Sequence, residues 1–97
     1  MHQVVRSGTW LYDDAVNQPV YIVMLDYDFW YEITKADGLL KAGEVPHLNE
    51  AGTQFYVCFR AVPETPPIWV DSPGFDEMEQ ACECAQSKVP SPISWEA

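Results

Sequence analysis

Asp26, Asp28 and Glu32 occupy alternate positions of the stretch LDYDFWYEI (residues 25–33), and Trp30 stands between them. On an extended strand such residues share one face, with neighbours two apart separated by about 6.6 Å. Carboxylates at that distance can flank a substrate or hold a water-bridged cation. Acid–base catalysis, however, needs carboxyl groups in different, partly buried surroundings, so that their pKa values separate. Three acids on one open strand face share a single environment. No glycine-rich loop backs them, and no histidine is near in sequence. The pattern therefore predicts a solvated or docking face, with no catalytic residue. Trp30 favours docking, because a tryptophan is costly to expose and is enriched at interface centres. Arg60, on the outward parity of a later strand, is a structural alternative as a cross-strand partner for one of these acids.

The other reactive side chains are scattered. Cys82 and Cys84 form a Cys-x-Cys pair, but on a helix positions two apart point about 200° from each other. Their thiols diverge, and zinc sites use wider spacings with further partners. His2 and His47 stand alone. No metal site and no cofactor is expected. Asp76, Glu79 and Glu83 follow one another at i, i+3 and i+7. The first of them suits a helix start, where the dipole welcomes negative charge. Glu83 lies too far along for that and is the better candidate for contact with a basic partner.

The elements that must position these groups are legible from periodicity. Val4-Val5 and TWLY (9–12) read as short strands separated by a Ser7-Gly8 turn, and DDAVNQP (13–19) as a loop. VYIVMLDYDFWYEI (20–33) is the strongest strand. Its first half is apolar on both parities, as in a central strand covered on both sides, and its second half alternates. Asp37-Gly38 predicts a type I′ hairpin, with LLKA (39–42) returning. TQFYVCFRAV (53–62) is a further strand, with Phe55, Val57, Phe59 and Ala61 on one face and Tyr56, Cys58 and Arg60 on the other. PETPP (63–67) is a loop, and IWVD (68–71) a short strand. Phe75, Met78, Cys82, Ala85 and Val89 then form one helical stripe. Asp76 and Glu79 supply a capping box, and Pro90 ends the run. Ile93 and Trp95 pin the tail as an edge strand or packed coil.

The expected fold class is α+β, in one domain spanning 1–97. It has an antiparallel sheet of about four to five strands, with one C-terminal amphipathic helix on one face. The other face is left to solvent or a second copy. Trp10, Tyr12, Trp30, Tyr56 and Trp69 would gather there, so that Asp26, Asp28, Trp30, Glu32, Tyr56 and Glu83 make up the predicted interaction surface.

Charge limits the partners. Five Lys/Arg against fifteen Asp/Glu give −10, with the excess in residues 1–33 and 63–97. Without a basic cluster, direct nucleic-acid binding and anionic membranes are disfavoured. No apolar run approaches a membrane span. The N-terminus lacks the build of a signal peptide and the cysteine count is odd, so a cytoplasmic protein is expected. The expected function is a small acidic, non-enzymatic protein-interaction module, homodimeric, with a basic protein as a further partner. The alternatives are an acidic inhibitor that mimics nucleic acid in a basic cleft, and an enzyme using a pocket between sheet and helix.

Overall fold

β1 (His2–Tyr12) and β2 (Val16–Leu25) form a long antiparallel hairpin in the computed structural model, which describes residues 2–65 and 67–96. The connection is only Asp13–Ala15, closed by a bond from Ala15 N to Tyr12 O at 3.0 Å. Asp13 and Asp14 both have φ of 52°, a region that aspartate tolerates better than most residues. The predicted 13–19 loop is therefore mostly strand. Pro19 is accommodated because β3 (Gln54–Cys58) pairs with β2 only from Tyr21 to Leu25. Where β3 does not reach, a missing N–H costs little. Nor does the chain turn at Ser7-Gly8. β1 runs straight through, with a register shift between Val4 and Arg6.

Gly8 has a packing role instead. It pairs with Trp95 of β4 (Ser94–Trp95), and a Cβ there would lie 2.8 Å from Trp95 Cε3. The sheet order is β3-β2-β1-β4, all pairs antiparallel.

The largest departure from expectation follows Leu25. The chain bends at Asp26-Tyr27 and enters α1 (Phe29–Ala36). Asp28 is the N-cap: its φ and ψ are −83° and 104°, and Oδ1 accepts from Tyr31 N at 3.1 Å. The alternation of 25–33 is compatible with both periods, since Phe29 and Ile33 are two strand repeats apart and also i, i+4 on a helix. The capping carboxylate settles the choice. Asp37-Gly38 is the exit of α1 and not a hairpin. Gly38 (φ +72°) donates to Lys35 O and Leu39 N to Thr34 O, each at 3.0 Å, which is a Schellman close. LLKA is not a strand.

α2 (Met78–Ser87) is the second helix, and β4 follows it. Its cap falls one residue later than predicted, with Gln80 Oε1 accepting from Glu77 N at 3.1 Å. Ala81 and Ala85 are fully buried, with Met78 and Cys82 packed beside them. They meet Val20, Ile22 and Val57 on one side of the sheet. On the other side Val23, Leu25, Tyr56 and Cys58 meet Phe29, Ile68 and Val70. The apolar first half of the 20–33 stretch is thus a strand buried on both faces. Each such side chain contributes about 1.5–3 kcal/mol. The second face is not open to solvent, as expected, but covered by α1 and residues 68–70.

Residues 68–70 form no regular ladder, yet Asp71 and Ser72 close the outer edge of β3. Asp71 N donates to Val57 O, Ser72 Oγ accepts from Val57 N, and Asp71 Oδ2 accepts from Phe59 N, each at 2.8 Å. Phe55 and Phe75 exchange backbone bonds beyond. This protects an edge that would otherwise template further pairing. Among the described residues no helix is long and apolar enough to cross a membrane.

Candidate functional site

The first turn of α1 is held from both sides. Phe29 N donates to the buried Tyr56 Oη at 2.9 Å, and His47 N donates to Asp28 Oδ2 at 2.8 Å. With Phe29 anchored in the core, Trp30 is directed outwards and remains 38% exposed. Its indole is fixed nonetheless, because Nε1 donates to Ser72 O at 2.8 Å. Trp69 reaches the same place from the other segment. It sits between Ile68 and Val70, both buried, and is itself 52% exposed.

Three rings meet there nearly at right angles. Phe29–Trp30, Phe29–Trp69 and Trp30–Trp69 have centroids 5.0, 5.4 and 5.9 Å apart, with interplanar angles of 85°, 89° and 84°. Edge-to-face packing of this kind is favourable and stiff. The two tryptophans wall an open hollow of about 510 Å³ completed by Val70, Asp71, Ser72 and Pro73. On the far side of Trp69 a second hollow, about 330 Å³, is lined by Tyr27, Phe29, Glu32, Ile33, Pro67 and Ile68. A third, about 190 Å³, lies beside Trp30 with Asp28, Tyr31, Thr34, Glu44 and Val45. Four carboxylates line these three hollows, and among the described residues no Lys, Arg or His lines them.

The predicted site residues are dispersed by the α1 turn. Trp30 is at the centre of the aromatic face, Glu32 at its lip and Asp28 beneath it as the helix cap. Asp26 is exposed in the bend and lines a separate hollow with His2, Gln3, Met24 and Thr53. Tyr56 is wholly buried and so belongs to no surface. Burial pushes its hydroxyl up to about 12. Glu83 is exposed on α2, across the sheet from Trp30. The aromatic cluster predicted for one sheet face is divided. Trp10 packs against the α2 side and meets Tyr12 edge-on at 6.0 Å, away from the Trp30–Trp69 pair. Arg60 does not reach the acids of 26–32; its Nη2 lies 3.3 Å from Asp71 Oδ1.

No protein-family model, curated protein or solved structure matches the chain. The site is therefore read from its own geometry.

A second polar cluster surrounds Asp76, which the sequence suggested as a helix cap. Its Oδ1 receives Gln54 Nε2 at 2.6 Å and faces His47 Nε2 at 2.9 Å, while its carbonyl accepts from Asn49 Nδ2 at 2.9 Å. The Gln54 bond and then the His47 contact hold its carboxyl below the usual range. These bonds tie the 47–54 segment to the start of α2. Among the described residues no group of three or more His, Cys, Asp or Glu could hold a metal ion. Trp69 was expected beside Trp30 on the face away from α2, where it lies, but was left out of the predicted interaction surface. Its signal was the single large ring between two aliphatics in IWV, an in-out-in pattern.

Proposed function

We propose that this chain is a non-enzymatic docking module that grips a basic segment of a partner protein with the Trp30–Trp69 face. The carrying observation is the exposure of two tryptophans that are already locked in place, one by an indole hydrogen bond and both by ring packing. Exposed indoles are costly in water and serve as anchors at interface centres. Their rigidity lowers the ordering cost of binding. The acidic lining and the net charge of −10 favour a basic partner and speed encounter. Three free cysteines suit a reducing, cytoplasmic setting.

Self-association was expected from an open sheet face, and that motive is gone now that α1 and 68–70 cover it. A second copy would have to use the tryptophan face instead. Imitation of nucleic acid has weaker support, because exposed acids are spread over the hairpin turn (Asp13, Asp14), α1 (Glu32) and α2 (Glu79, Glu83). That spread favours solubility and attraction at a distance over a copied phosphate track.

The test compares wild type, Trp69→Ala and a control, Tyr12→Ala, as immobilised baits in native lysate. Proteins held by wild type and the control but lost from Trp69→Ala support the reading. Identical capture by all three rejects it. Light scattering on the same proteins identifies a second copy as the partner if the wild type exceeds 11.0 kDa and Trp69→Ala does not.

A further inference from the structure

We infer that the hollow between Trp30 and Trp69 receives an arginine side chain of the partner, an inference that rests on the docking reading above. Three of the donors in the lining are already engaged. Trp30 Nε1 donates to Ser72 O, Ser72 Oγ donates to Pro73 O, and Asp71 N donates to Val57 O. Pro73 has no N–H. What the hollow presents is chiefly aromatic surface, with the Trp69 indole and the Asp71 carboxylate as its polar groups.

Its surroundings are mainly acidic, with Arg60 and Lys88 both gathered on Asp71: Lys88 Nζ donates to Asp71 O at 2.8 Å. Asp71 lines the hollow itself, Glu32 lines the adjoining one across Trp69, and Glu44 the one beside Trp30. Asp71 already holds the Arg60 guanidinium at 3.3 Å, so most of its charge is met. Among the described residues Glu32 and Glu44 form no ion pair with a Lys or Arg side chain, and Glu44 accepts only from the Lys41 amide at 3.2 Å. Indole faces carry negative potential, and a cation over them gains most for tryptophan. Guanidinium suits this place better than ammonium, because it is planar, more weakly hydrated and stacks on rings while its N–H groups seek acceptors. A neutral proline or leucine segment would fill the apolar volume but leave these carboxylates unused.

The experiment titrates the full ¹⁵N-labelled chain with three capped peptides that differ at one central residue: arginine, citrulline or proline. Citrulline keeps the shape and loses the charge. The indole N–H resonances of Trp30 and Trp69 report the site. The arginine peptide is expected to move both and to bind about tenfold more tightly than the other two, with affinity falling as salt rises. Trp69→Ala should abolish the response. A Glu32→Gln/Glu44→Gln double variant, changed only at exposed positions, should weaken the arginine peptide alone. Equal binding of citrulline or proline overturns the cationic assignment and leaves the docking face standing. If no peptide moves these indoles, the assignment also fails, and lysate capture by Trp69→Ala decides the docking reading separately.

Discussion

The amide of Phe29 donates to the phenol oxygen of Tyr56 at 2.9 Å, joining the first residue of α1 to the middle of β3. A first-turn amide has no partner within its helix, and here both groups are buried. Tyr56→Phe keeps the ring and orphans that amide. A destabilisation of about 1–3 kcal/mol is expected, measured by urea unfolding. The variant should also change the alkaline limb. Burial raises the Tyr56 hydroxyl from 10.0 to about 12. The unfolded phenol thus ionises first, and stability falls as pH rises from 10.0 towards 12. Tyr56→Phe should lose less stability than wild type between pH 9 and 11. An unchanged alkaline slope would contradict the assignment.

Asp28 serves two amides at once, Tyr31 N at 3.1 Å within α1 and His47 N at 2.8 Å across the chain. Asp28→Ala should cost at least the about 1–2 kcal/mol of a lost N-cap. It should also accelerate hydrogen exchange at both Tyr31 and His47. Asp28→Asn, which retains an acceptor oxygen, should restore the Tyr31 amide. Faster exchange at Tyr31 alone would show that the link to His47 does not persist in solution.

This same aspartate marks the boundary of what was legible. The four-stranded antiparallel character, the doubly buried half of β2 and the stripe of α2 follow from apolar periodicity, which burial enforces directly. α1 was hidden because LDYDFWYEI satisfies both periods over so short a span. The deciding term is one hydrogen bond from the Tyr31 amide to the Asp28 carboxylate, small beside the burial terms but local and directional. Gly38 is ambiguous for the same reason: positive φ serves a hairpin and a Schellman close equally. Trp30 was legible as an exposed ring. Its meeting with Trp69 was expected across an open sheet face, but the contact is made by α1 and the edge-covering segment, which no local pattern encodes.

Asp76 predicts an acid-side effect. Its carboxyl is held below 3.8, first by the Gln54 hydrogen bond and then by His47. A carboxyl lowered in the folded state lends stability above its unfolded value, and this is lost as pH falls through the folded one. Asp76→Asn should therefore be less stable than wild type at pH 6, with the gap narrowing below pH 3.8. Urea midpoints across that range measure it. A gap independent of pH would mean that the hydrogen bonds matter and the charge does not.

Cys58 should be chemically silent while the chain is folded. It is 1% exposed, and burial, followed by the charge of Asp71, pushes its thiol up to about 12. Thiolate is the reactive form, so at pH 8 both access and ionisation oppose reaction. Cys82 and Cys84 are only partly buried. Peptide mapping after brief alkylation should find label on these two, and on Cys58 only once denaturant is added. Labelling of all three at one rate in native buffer would show that the β3 core opens locally.

Gly8→Ala tests why the strand tolerates a glycine where a turn was expected. The added Cβ would stand 2.8 Å from Trp95 Cε3 and 2.9 Å from Ser94 O. The second contact is with backbone, so no rotamer relieves it, and β4 has to move. Overpacking of this kind costs about 1–3 kcal/mol. Most of it should fall on β4, because β2 still pairs with β1 on the opposite edge. The expected signature is local: loss of protection at Glu96 N, which donates to Ser7 O at 2.8 Å, with the β1–β2 amides still protected. If Glu96 keeps its protection, β4 has a tolerance that these contacts do not allow. If the β1–β2 amides open with it, the tail supports the hairpin more than a two-residue strand would suggest.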